Sequence, residues 1–241
     1  MELSFPRPGQ MTEWKNIPLQ AILEEEFSLP CMIEDSVRPA ALAEKHHGIC
    51  ASLDDFLYIM VGMGIGAAIS INGRLYEGGG GGAGEFGHIT IDENGPLCSC
   101  GNNGCLEALA SCSAIIQAVR KALEKGVDTK VMEIAGGNLG SINIESIAQA
   151  ASANDAMALR VLHDAISHVG VALADVVNLL NPATVVFGGS LARSAPDLVL
   201  GVVSRVIKQR ALEKAAGDAQ LKISTLGSED AALGAVRLIS E

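Results

Sequence analysis

The chain has 241 residues, 49% of them hydrophobic, which is ample apolar material for one large domain or two small ones. With 28 acidic against 17 basic residues its formal charge is −11, so it lacks the clustered Lys and Arg that grip phosphate backbones, and 3% aromatic content leaves little for stacking on bases. Direct nucleic-acid contact by this chain is therefore not among its expected functions.

The opening MELSFPRPGQ lacks the basic and apolar regions of a signal peptide, and no apolar run reaches the roughly 18 residues a membrane span needs; a cytoplasmic protein without a membrane partner is expected. Residues 16–27 (NIPLQAILEEEF) space Ile17, Leu19, Ile22, Leu23 and Phe27 as on one side of a surface helix. Residues 30–35 (PCMIED) read as a short buried strand. The PAALAEKHHG that follows reads as a helix with Pro39 in its first turn and Gly48 at its end. Residues 56–61 (FLYIMV) are apolar and β-prone. After Gly62, Gly64 and Gly66, the run AAISIN leads into Asn72-Gly73, the commonest two-residue hairpin turn, and then RLYEG. The three glycines thus sit between two strands. A Rossmann loop would open a helix instead, which argues against a dinucleotide fold; a phosphate-facing loop and a plain glycine turn both stay open.

A glycine run, residues 78–84, leads into GHITIDENGPLCSCGNNGCLE, where His88 precedes Cys98, Cys100 and Cys105. In a reducing compartment such a cluster reads as a metal site rather than as disulfides. One imidazole and three thiolates are the tetrahedral set that zinc prefers, and with all four positions filled by protein the site is expected to be structural. Gly95, Gly101 and Gly104 allow the tight turns that aim the ligands, while Cys31, Cys50 and Cys112 are expected in the core. Glu85 and Glu107 flank the histidine and could either orient its ring or hydrogen-bond sugar hydroxyls. Helices are expected over 106–125, 144–153 and 156–180, the last stopped by Pro182. TVVFGG reads as a buried strand with a Gly-Gly turn, followed by a helix over 196–214, a strand at LKISTL and a closing helix over 230–240. Strands first in hairpins and then separated by helices indicate a mixed-sheet α/β domain. The chain shows no repeats and no long linker.

In order, VGMGIGAAISINGRLYEGGGGGAGEFGH, CSCGNNGCLE, VVFGGSLA and LGSEDAALGAVRL resemble the signature, the zinc motif and the C-terminal nucleotide-lobe segments of the ROK family (repressors, open reading frames and sugar kinases), with similarity from about Pro30 onward. The resemblance implies an α/β, actin-like (ribonuclease H-like) two-lobe fold. Residues 1–53 would be the remnant of a partial N-terminal lobe. Residues 54–241 would be a complete C-terminal lobe carrying the zinc-binding segment 88–105, its last helix able to pack on the N-terminal lobe. The resemblance further implies sugar contacts from Asp35, Glu85, His88 and Glu107. It implies nucleotide or phosphate contacts from Gly62, Gly64, Gly66, Gly188 and Gly189, and assembly as a homo-dimer or tetramer.

Several positions depart from the kinase pattern. Family kinases carry an Asn-Asp pair whose Asp is the base for the attacked hydroxyl; here Asp35 and Ser36 occupy those positions, and a serine cannot accept that proton near neutral pH. The phosphate-loop threonine is Met63, and neither an Asp-x-Gly-Gly-Thr loop nor a winged helix-turn-helix is found in the sequence. The expected function is a carbohydrate-sensing effector-binding domain of a ROK-type transcriptional regulator, truncated or a fragment, without kinase activity by itself. Its ligand would be a sugar or sugar derivative and its cofactor zinc. The alternative is an ATP-dependent sugar kinase of the glucokinase or N-acetylhexosamine kinase type, with Asp35 as base and with ATP and magnesium. A third reading is a structural or dimerisation module whose cleft binds nothing.

Overall fold

The computed structural model describes residues 17–239; the opening MELSFPRPGQ, Asn16 and Ser240 lie outside them. A short helix, α1 (Leu19–Phe27), buries none of its residues and is followed by α2 (Val37–His47). Strands β1 (Phe56–Val61), β2 (Ile65–Ile71) and β3 (Arg74–Leu75) then run as consecutive hairpins. The second hairpin turns at Asn72 and Gly73, whose φ values of 52° and 77° are those of the expected two-residue turn. Five helices come next: α3 (Leu106–Ala110), α4 (Cys112–Glu124), α5 (Val131–Ile134), α6 (Ile144–Ser152) and α7 (Ala156–Leu180). The chain continues through β4 (Thr184–Gly188), α8 (Gly189–Ser194), α9 (Pro196–Arg210), α10 (Glu213–Asp218), β5 (Gln220–Ile223) and α11 (Asp230–Leu238).

The strands form one sheet in the order β3-β2-β1-β4-β5, antiparallel on the hairpin side and parallel from β1 to β5. FLYIMV is apolar throughout because both faces of β1 are covered. Leu57, Ile59 and Val61 join Val185 and Phe187 of β4 in the main core under the long helices, while Phe56 and Tyr58 join Val186 in a smaller core under α2. On that second face α11 lies against α2 so closely that a Cβ at Gly234 would strike the Pro39 carbonyl. Two buried polar pairs tie this layer together. The Tyr58 hydroxyl donates to Asp230 Oδ2 at 3.0 Å, and the Ser224 hydroxyl donates to the fully buried Glu44.

Several expectations need correction. Residues 30–35 form no strand: they carry no sheet pairing among the described residues, their Cys31 and Asp35 amides donate to the Glu24 and Glu34 carboxylates instead, and Pro30, Met32 and Asp35 are exposed. Helix 106–125 is broken at Ser111, whose hydroxyl accepts from Ala114 N at 3.2 Å to cap α4 while Cys112 N donates to Gly62 O. The helix begun at Pro196 ends at Arg210, because Leu212 N leaves the helical pattern to donate to Asn178 Oδ1 at 2.8 Å. Cys31 is only half-buried, whereas Cys50 and Cys112 are core residues as expected. The strand at LKISTL stops at Ile223, where Ser224 turns to Glu44. Helix α7 is long and apolar enough to cross a membrane by length and composition, but charged residues interrupt it and half of its most apolar stretch is buried inside the fold.

Candidate functional site

The cysteine segment hangs from the hairpin sheet by backbone bonds rather than by regular structure. Isolated bridges pair Thr90 with Cys105 and Leu97 with Asn103, and Leu106 N donates back to Ile89 O. Gly104, at φ 65°, lies so close to the Asp92 carbonyl that any side chain there would collide with it. At its head Phe86 is buried in the core, fixing the short turn Phe86–His88 that presents the histidine. The outcome is convergence: donor atoms of His88, Cys98, Cys100 and Cys105 all lie within 4.8 Å of one another. Cys98 Sγ is 3.7 Å from His88 Nδ1, and Cys100 Sγ is 3.7 Å from Cys105 Sγ. A tetrahedron built on a Zn–S bond of about 2.3 Å has edges of about 3.8 Å, so the donor set and its spacing fit a four-coordinate metal. Burial, with the neighbouring thiols, pushes the Cys105 thiol up to about 12.

The histidine ring divides its two nitrogens. Nδ1 faces the thiols, and Nε2 lies 3.7 Å from Glu85 Oε2, a carboxylate that is largely exposed. Glu107 has a contact of its own. From the first turn of α3 its Oε2 accepts from Ile65 N at 2.9 Å and covers Gly64, where a Cβ would approach that oxygen to 2.6 Å. The glycine turn between β1 and β2 is thus a seat for a carboxylate. Glu107 also lines a cleft of about 700 Å³, together with Met63, Cys98, Ser113 and Arg120.

At the nominated base position the carboxylate is otherwise engaged. Asp35 Oδ1 accepts from Val37 N at 2.6 Å and Arg38 N at 3.1 Å, capping α2, while Oδ2 lies 3.8 Å from Arg38 Nε. Ser36 Oγ faces the Met60 thioether at 4.0 Å. Met63 is exposed on the turn, its carbonyl accepting from Ser113 Oγ at 2.9 Å. Among the nominated nucleotide glycines, three have packing reasons of their own: a Cβ would collide with Val37 at Gly66, with the Tyr58 hydroxyl at Gly188 and with the Val61 carbonyl at Gly189.

Over residues 8–241 the chain matches the family model described as "ROK: ROK family". The chain belongs to the ROK family. It is 33% identical over 227 residues to the xylose repressor of Caldicellulosiruptor bescii, covering 94% of this chain and 56% of the repressor. It is 35% identical over 231 residues to a glucokinase of Halalkalibacterium halodurans, covering 95% of this chain and 69% of the kinase. A crystal structure of a ROK family glucokinase from Streptomyces griseus in complex with glucose and AMPPNP matches with a TM-score of 0.84 at 28% identity, over 94% of this chain and 73% of that one. The chain therefore spans little more than half the length of the ROK repressor it matches, and its fold is the actin-like fold of the ROK kinases.

Reading along the sequence missed Arg38. It is 7% exposed, and its guanidinium reaches the carbonyls of Gly81 and Ala83 in the glycine run ahead of Glu85. An arginine on the second residue of a helix gives no local signal that it will be buried; the signal was the glycine run itself, which needs something to hold it.

Proposed function

We propose that this chain is the carbohydrate-sensing, effector-binding part of a ROK-type transcriptional regulator, without kinase activity of its own, built around a structural zinc held by His88, Cys98, Cys100 and Cys105. The observation that carries this reading is the state of the base position. A general base needs a suitable pKa and an acceptor aimed at the substrate proton; Ser36 supplies neither, and Asp35 is turned onto the first amides of α2 and onto Arg38. Sugar reading is better provided for. Glu107 uses Oε2 on Ile65 and keeps Oε1 for a hydroxyl, and His88, fixed through Nδ1 by the metal, offers Nε2 beside Glu85.

In this reading residues 1–53 are the end of an N-terminal lobe and 54–241 a C-terminal lobe. Bound sugar shifts the lobe angle or the arrangement of a dimer or tetramer, biasing a DNA-binding segment elsewhere. The setting is cytoplasmic. The similarity to a xylose repressor supports it and nominates a pentose or hexose as effector. The glucokinase relatives favour a second reading, an ATP-dependent sugar kinase with magnesium, in which Asp35 is the base and Gly62, Gly64, Gly66, Gly188 and Gly189 face the nucleotide. Xylose, glucose and N-acetylglucosamine are to be tested for thermal shift and for sugar-dependent ADP release. A shift without turnover is expected. ADP release that vanishes in Asp35→Asn would establish the kinase instead, and neither response would leave a structural module.

A further inference from the structure

We infer that Arg38 is a positioning residue for the sugar site: its buried guanidinium holds the glycine strap, residues 78–84, in the conformation that brings Glu85 to His88. The inference rests on the sensing reading of Glu85 and His88.

The strap has six glycines in seven positions, the composition that loses most conformational freedom on ordering. Its ends are held by the backbone: Ala67 N donates to Gly84 O at 2.8 Å, and Ala83 N donates to Glu77 O at 3.0 Å. Its middle is loosely packed: a Cβ built on Gly79, Gly80, Gly81 or Gly82 meets no atom within 4 Å, and the backbone bond there, Gly81 N to Gly78 O, is long at 3.5 Å. Arg38 supplies the missing contact. Nη2 donates to the Gly81 carbonyl and, at 3.4 Å, to the Ala83 carbonyl, two acceptors on the strap from one nitrogen. The rest of the fork is turned the other way, with Nη1 on both oxygens of Glu34 at 3.4 Å and Nε beside Asp35 Oδ2 at 3.8 Å. These two carboxylates balance a cation whose side chain is only 8% exposed.

The chain of contacts therefore runs from Glu34 and Asp35 through Arg38 to Gly81 and Ala83, and two residues later to Glu85 and, through it, to His88 Nε2 at 3.7 Å. It also gives the carboxylate at residue 35 a role other than that of base: together with Glu34 it sets the fork that aims at the strap. A lysine, with one rotatable ammonium, cannot reach two carboxylates and two carbonyls at once.

The test uses the full chain with Arg38→Met, Arg38→Lys and, from the strap side, Gly81→Ala, which opposes a φ of 78° without touching the buried side chain. The measurements are hydrogen–deuterium exchange over residues 77–85, metal content, and affinity for whichever of xylose, glucose or N-acetylglucosamine shifts the melting temperature. Arg38→Met is expected to speed exchange at the strap, leave metal content unchanged and weaken sugar binding on the order of tenfold, with Arg38→Lys intermediate. Glu85→Gln, costly in the parent chain, is then expected to add less than about twofold in the Arg38→Met background, because the carboxylate it removes is no longer placed. Unchanged strap exchange, unchanged affinity, or a Glu85→Gln cost equal in both backgrounds would each overturn the inference. If Arg38→Met does not fold, Gly81→Ala must reproduce the loosened strap and the weaker binding, or the inference fails. If no sugar binds the parent chain, it is the sensing reading that falls. Strap exchange and the His88 ring resonances, expected to move when Glu85 leaves Nε2, then decide the role of Arg38 on their own.

Discussion

Stripping the proposed zinc is the perturbation whose size the structure sets most directly. The ligands close a loop of 18 residues from His88 to Cys105, and within it only two isolated bridges and a few turns hold the chain. Treated as a cross-link, closing a loop of this length restricts the unfolded chain by about 3 kcal/mol. For a chain of this size that corresponds to a fall in melting temperature of about 6–12 °C when a chelator removes the metal, lessened by any affinity of the unfolded thiols for zinc. The assay is a pair of thermal melts before and after chelation, with elemental analysis showing one zinc per chain and one equivalent of zinc restoring the melt. Because His88 is a proposed ligand, the stripped chain should also lose its response to sugar. Protein purified without metal, melting at the same temperature with and without added zinc, would refute the reasoning.

Other perturbations probe the rest of the site and its support. Glu107→Ala leaves Ile65 N without its acceptor and removes a proposed hydroxyl partner; a loss of about 1–2 kcal/mol in urea melts and of sugar binding by calorimetry is expected. Tyr58→Phe leaves Asp230 Oδ2 buried without its donor and should cost about 1–3 kcal/mol by the same melts, with no change in metal content. Asp155 caps α7 by accepting from Ala158 N and also accepts from Lys130 N, each at 2.8 Å; burial alone would raise its pKa, but these amides outweigh burial and lower it. A lowered folded-state value gives stability that is present above the unfolded pKa of about 3.9 and is lost as pH falls through the folded value. Asp155→Ala should therefore cost about 1 kcal/mol at pH 7, and the gap to the parent chain should close in melts taken below about pH 4.

The parts of the fold legible in the sequence are those specified locally. FLYIMV, Asn72-Gly73 and the span from Ala156 to Leu180 each carry their own period or turn chemistry, and each element lies where that chemistry puts it. The four metal-ligand candidates were legible for the same reason: their spacing and flanking glycines state the turn that gathers them. What was not legible depends on partners distant in the chain. PCMIED has the composition of a strand but no neighbour to pair with among the described residues. Ser111 breaks a good helical pattern because Gly62, nearly fifty residues earlier, takes the Cys112 amide. Glu107 looks from sequence like a companion of His88, yet it is Ile65 that claims it. Arg38 is the same case: its acceptors lie 43 and 45 residues away.

Order is also distributed unevenly over the site, in the direction that the proposed sensing function requires. The side proposed to read sugar is fixed several times over, by buried Phe86 beneath the turn that holds His88, by the thiols around Nδ1, and by the Ile65 amide on Glu107. The base side stands on residues 28–36, which carry no helix or strand and are largely exposed. Phosphoryl transfer is mostly positioning, and an error of about 1 Å costs on the order of a hundredfold in rate. Recognition of hydroxyls is less exacting, because hydrogen bonds accept a range of about half an ångström and water can fill part of what remains. In the proposed sensing function such an arrangement suits occupancy, and occupancy is all that a sensor has to report.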